Sequence, residues 1–376
     1  MPITRRDVVI AGAATSLGFP AISVAQSRQM RLGILTPVGH PWNRAALKVA
    51  DQLNAETKGR LTLTVFQSGQ LGNESAMLQQ MQSGALDMGW IMASELGSRV
   101  PAIAAITAPY VVDTTDKIAK LVRHPVAMKL FDVLPAETGT IGLAWGITGM
   151  RAIFSARDIH KIADINGMKL RINPTPAYRD FYQLLGASPT PIPAPQVFDA
   201  MSNGQVDGLD ADLEFSWNQR FDKVSKSILQ MNAIYMPVIA LVSGRFWQGV
   251  SASDRELITR LIKAALDIQI DELVINEPKL VEQFKATNVP FRLANRADAE
   301  AVVAEYDKIW LPKAPILAEL RKAVDCQPPA GKQPLHAGLR QVQRLRNVAI
   351  GHSRRLQLQL DGGDELCNFG HIGIVL

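Results

Sequence analysis

The sequence predicts an α/β fold in two lobes, each a mainly parallel sheet flanked by helices, with one long helix running from lobe to lobe. Three observations carry this. From Gly167 to Trp217, short apolar runs alternate with helical stretches as strand, helix, strand, helix, strand, the order of a doubly wound sheet. Met81–Asp87 and Met201–Asp207 share the pattern Met-x-x-Gly-x-aliphatic-Asp, one helix-stop and strand-start device used once per lobe. A helical period from Ser253 to near Thr287 covers some 35 residues, about 50 Å, longer than one small lobe.

The first 25 residues read as an address. Thr4-Arg5-Arg6-Asp7 precedes about a dozen apolar or small residues from Val8 to Phe19, and Ser23-Val24-Ala25 offers a small-x-small cleavage site. The paired arginines fit twin-arginine export; a Sec signal that happens to contain them is the alternative. Either route leads out of the cytoplasm, to the periplasm. No other run approaches the ~20 apolar residues of a membrane span.

From Met30 a strand leads into Thr36-Pro37-Val38-Gly39-His40-Pro41-Trp42, a loop of turn formers. A helix follows, with Ala45, Leu47, Val49, Ala50 and Leu53 on its buried face, and then an alternating strand, Leu61–Phe66. Asn73 is placed to cap a helix over 74–82 that stops at Gly84, before a strand over Leu86–Trp90. Ile141–Gly146 is a glycine-rich strand suited to crossing between lobes, and Pro237–Val242 a buried strand returning to the first. In the second lobe Met168–Ile172 is a strand and Pro174 a candidate helix start. Tyr178, Phe181, Tyr182 and Leu185 form one stripe ending at Gly186. A short helix over 195–202 leads to a strand over Val206–Leu209. Ser253 and Glu256 read as a capping box for the long helix, and Pro278 as its kink. The expected division is 30–148 with 237–275 as one lobe, 149–236 with 276–325 as the other, and 326–376 as an extension.

Composition narrows the function. A 47% hydrophobic content suffices for two cores, and the net charge of +5 is spread thinly. No basic stripe interleaved with aromatics exists to bind nucleic acid. The two cysteines, Cys326 and Cys367, both lie in the last segment, so neither a catalytic thiol nor a cysteine metal site is expected. Ser-His-Asp spacing, H-E-x-x-H and a Gly-rich phosphate loop are all missing, which argues for a binding protein over an enzyme and against any cofactor.

Three motifs in order, GMKLRI, LGASPTPIP and NGQVDG, resemble the solute-binding proteins of tripartite ATP-independent periplasmic (TRAP) transporters. QLGNESAMLQQMQSGALDMG adds to the likeness, which spans roughly residues 30–325. The resemblance implies a two-lobed periplasmic binding protein fold with a helical spine. It also implies capture of a small organic acid in an interlobe cleft, and delivery by a monomeric receptor to a membrane permease. A receptor feeding a periplasmic sensor is one alternative, and a periplasmic enzyme, which twin-arginine export would also suit, is the other.

Arg171 is the first candidate for the ligand. A guanidinium presents a planar fork that matches a carboxylate and stays charged at any working pH. The resemblance gives Arg171 the carboxylate and Arg151 a supporting part; the structural alternative pairs Arg171 with an acid such as Asp210. Where the family has glutamate then asparagine, this chain has Asp210 then Ala211. The missing asparagine argues against sialic-acid-like, polyhydroxylated ligands. It turns attention to Trp90, Trp145, Phe215 and Trp217 as an apolar lining, each also a candidate for the core. His40 is a loop residue within reach of a ligand. Asp210 alone is far short of a metal site. The segment after Cys326 departs from the family; with six Lys or Arg against three acids it reads as disordered, frame-shifted or a true extension. A Cys326–Cys367 disulfide is its one candidate cross-link.

Overall fold

A computed structural model describes residues 27–325 except 174 and 193–195. The export signal, the candidate helix start at Pro174 and the last segment with its two cysteines lie outside the described residues. The described residues all fall within one compact unit.

Nine strands are described: β1 (Arg28–Ile34), β2 (Leu61–Phe66), β3 (Met88–Met92), β4 (Thr140–Ser155), β5 (Lys169–Ile172), β6 (Ser188–Pro191), β7 (Gly208–Asp212), β8 (Ser227–Ser243) and β9 (Phe291–Leu293). They join in a single mixed sheet, in the order β2-β1-β3-β8-β4-β7-β5-β6, with β9 beside β8. Two parallel blocks were expected, and two are present: β2-β1-β3 and β7-β5-β6. What differs is their connection. Strands β4 and β8 are 16 and 17 residues long, antiparallel to each other, and run through both blocks. The sequence had marked only 141–146 and 237–242.

Midway, both long strands leave their ladder. Ile147 pairs with Pro237 and Met150 with Tyr235, so β4 has two residues against one. Between Met150 and Ala152 the opposite strand inserts 231–234, and Asn232 takes φ of 51°, a left-handed turn that asparagine tolerates better than most residues.

The shared Met-x-x-Gly-x-aliphatic-Asp device is built the same way in both blocks. Gly84 and Gly204 stop their helices with φ of 82° and 66°. Asp87 then accepts from the Arg31 N–H at 2.9 Å, and Asp207 from the Lys169 N–H at 2.8 Å. Each aspartate thereby ties a new strand to its parallel neighbour.

The helix Ala252–Lys285, 34 residues with Pro278 inside it, crosses both blocks. Its cap is Ser251, whose hydroxyl accepts from the Asp254 N–H at 3.2 Å, rather than Ser253. Its first half packs Ile258, Leu261, Ile262 and Leu266 with Trp42 and Val49 of the helix Pro41–Glu56 over the first block. Its far end puts Phe284 into a core with Phe154, Leu209 and Phe221 over the second. A third core, on the opposite face, takes in Tyr178, Phe181, Tyr306 and Trp310. Among the described residues no helix is long and apolar enough to cross a membrane.

Candidate functional site

Arg171 is the next-to-last residue of β5, at the carboxyl end of a parallel block where ligands of such sheets are held. It is 4% exposed. Its Nε donates to the Ile192 carbonyl at 2.9 Å and one terminal nitrogen to Asn173 Oδ1 at 2.9 Å. Both partners are neutral. Among the described residues Arg171 makes no ion pair. Burial, with Arg151 nearby, lowers its pKa to about 9, so it remains a cation at neutral pH.

Arg151 behaves differently. Its Nε donates to Asp210 Oδ2 at 2.7 Å, a second nitrogen donates to the Asp210 carbonyl, and Asp212 Oδ2 lies 3.9 Å away. The guanidinium also lies over the Tyr178 ring at 5.9 Å. Burial works against its charge, yet Asp210, Tyr178 and Asp212 outweigh burial and hold its pKa above the ordinary arginine value. The acid expected as a structural partner for Arg171 is thus committed to Arg151. Register explains the choice. Arg171 stands beside Leu209 and shares its face, whereas Arg151 stands beside Asp212 and shares a face with Asp210. Ala211, on the Leu209 face, lies buried in the core with Phe154.

The aromatic candidates are widely spread. Trp145 donates to the Ala127 carbonyl at 3.2 Å and packs on Phe131 at 4.8 Å, a core position. Phe215 meets Phe221 at 5.6 Å, and Trp217 meets Phe284 edge-on at 5.2 Å, both at the margin of the second block's core. Trp90 is buried with Trp42 and Leu32, and its indole N–H has no acceptor among the described residues. His40 caps the helix Pro41–Glu56, its Nδ1 accepting from the Trp42 N–H at 3.2 Å. Burial and Arg44 lower its pKa to about 4, so it is neutral. Among the described residues no group of three or more His, Cys, Asp or Glu is placed to hold a metal ion.

Sequence reasoning missed two side chains of the long helix. Gln269 pairs with both backbone groups of Ile147, accepting from its N–H at 3.2 Å and donating to its carbonyl at 3.0 Å. Glu277 accepts from the Met150 N–H at 2.9 Å. The signal was present: both residues are polar at positions continuing the buried stripe of Leu266, Ile270 and Leu273. A cavity of about 250 Å³ is lined by Gln269 with Arg44, Glu214, Asn218, Glu272 and Lys279; neither Glu277 nor Arg171 lines it.

Comparisons with known proteins show the family and the fold. The model of bacterial extracellular solute-binding protein family 7 matches residues 32–313. The sialic acid-binding periplasmic protein SiaP of Vibrio cholerae is 27% identical over 269 residues, 72% of this chain and 84% of that protein. The 2,3-diketo-L-gulonate-binding periplasmic protein YiaO of Escherichia coli is 25% identical over 323 residues, 85% of this chain and 98% of its own. The sugar acid binding protein DctPAm of Advenella mimigardefordensis, solved with galactonate, superposes with a TM-score of 0.74 at 23% identity, over 80% of this chain and 98% of that one. A TRAP periplasmic solute binding protein of Xanthobacter autotrophicus Py2, solved with β-D-galacturonate, gives 0.74 at 23%, over 80% and 100%.

Proposed function

Since the chain belongs to bacterial extracellular solute-binding protein family 7, whose members work in the periplasm, we propose that Arg171 anchors the carboxylate of a sugar acid held between the two blocks of the sheet. The observation that carries this is the guanidinium itself: almost wholly buried, charged, and bonded among the described residues to a carbonyl and an amide alone. A buried cation without a counter-charge is costly, and a ligand carboxylate supplies one through two parallel bonds. Arg151, neutralised by Asp210, positions the neighbouring strands and does not hold the ligand.

The named relatives favour sugar acids over the apolar acids suggested by the missing asparagine, and Trp145 is engaged in the core. The captured acid is delivered to a TRAP-type membrane permease.

The test is a thermal-shift series with D-galacturonate, D-glucuronate, L-gulonate, 2,3-diketo-L-gulonate and sialic acid. At least one should raise the melting midpoint of the natural protein, and Arg171→Ala should abolish that rise while its own melt stays cooperative. A shift that survives Arg171→Ala removes Arg171 from the site.

A further inference from the structure

Where β4 and β8 pass from one block to the other, the bulge at 148–149 is held from the long helix by Gln269 on Ile147 and Glu277 on Met150, with Trp42 donating to the Ile147 carbonyl at 3.0 Å. The two helix residues are eight apart, about 12 Å along the axis. Pro278, which removes one rung of the helix, follows Glu277 directly. Gly149 lies against the carboxyl so closely that a Cβ there would be 2.9 Å from Glu277 Oε2. That oxygen is buried and has no partner among the described residues.

We propose that Glu277 is a positioning residue for ligand capture: holding its proton, it keeps the β4 bulge seated on the long helix, and losing that proton loosens the ligand-holding arrangement and weakens affinity. The proposal rests on Arg171 as the ligand anchor. An ionised Glu277 would leave one charged oxygen buried and unbonded, which opening of the bulge to water relieves.

Burial, with Asp212 adding to it and the Met150 N–H opposing, raises the Glu277 pKa to about 8. The charged groups on the packed elements are few. Arg151 of β4 is held by Asp210, and Asp212 ends β7. Beyond it come Glu214, raised by burial and Asp212 to about 7, and Arg44 with Glu272 at 3.9 Å. Arg123 is taken by Asp267 and Asp271, and Lys279 bonds Asn276. The sign follows from the raised value. The seated state binds more protons than an opened one between the ordinary 4.5 and about 8, so it loses stability as pH rises through that window and is level above it.

The full chain, Glu277→Gln and Glu214→Gln are titrated with D-galacturonate by calorimetry at pH 5.5 and 8.0, and melted without ligand across the same range. The natural protein's affinity should fall about tenfold or more between the two pH values, within the limit of a factor of ten per pH unit for one proton. Glu277→Gln, which keeps an acceptor for the Met150 N–H, should change less than about threefold, and Glu214→Gln should retain the natural slope. The ligand-free melting curves of the natural protein and Glu277→Gln should diverge as pH rises. Parallel pH dependence in those two proteins, or loss of the slope in Glu214→Gln, overturns the proposal. If D-galacturonate binds none of them at either pH, the proposed ligand falls and the melting curves decide: divergence upholds the role of Glu277, parallel curves end it.

Discussion

Taking a guanidinium out of water leaves it dependent on what surrounds it, and the two buried arginines have opposite surroundings. Arg151 faces Asp210 and Asp212; Arg171 faces neutral oxygens. Their substitutions should therefore separate by assay. Arg151→Ala strands Asp210 in the interior and should cost about 3–5 kcal/mol, read as a lower urea midpoint. Arg171→Ala strands no charge and leaves only the Ile192 carbonyl and Asn173 Oδ1 without their donor, so its urea midpoint should fall less than that of Arg151→Ala while its ligand response is lost. Equal destabilisation by both would show that Arg171 is a structural residue after all. Both arginines were legible as candidates, Arg171 as a charged residue inside an apolar strand and Arg151 through the family resemblance. Which of them Asp210 would claim was not legible. That depends on strand register, and a shift of one residue moves every side chain to the opposite face.

At the scale of elements, the long helix was readable from its period, and the paired aspartates from a seven-residue echo. The lengths of β4 and β8 were not. The expected strands end at Gly146 and begin at Pro237, yet Gly146 pairs with Val238 and Pro237 with Ile147, and the ladder resumes beyond the bulge that holds Gly149. Gly149 exists for the helix opposite it rather than for its own strand. Gly149→Ala brings a methyl to 2.9 Å from Oε2 and 3.0 Å from Cδ of Glu277, whose Oε1 is tied to Met150. The carboxyl cannot yield without losing that bond. The expected loss is about 1–3 kcal/mol by denaturant melting, and an unchanged midpoint would mean that the helix and bulge move apart freely.

At the scale of the molecule, β4, β8 and the long helix each run along both blocks among the described residues. Any rotation between the blocks has to bend all three, which is why the ladder irregularities, the proline and the two polar helix residues coincide at one level. Among the described residues the sheet, the cores and Arg171 all lie before residue 326, and the last helix, Ile316–Asp325, puts Leu317 and Leu320 into the core at 0% exposure. Truncation after Asp325 should thus leave the affinity for whichever sugar acid binds within about twofold, since no group of the site is removed. Truncation before Ile316 should not be tolerated. It strips two fully buried leucines from the core, each a loss of about 2–5 kcal/mol if judged by its Leu→Ala equivalent, and the sum rivals the whole stability of an ordinary domain. Calorimetric titration of the two truncated proteins separates these outcomes: a longer form that no longer binds would place part of the site beyond Asp325.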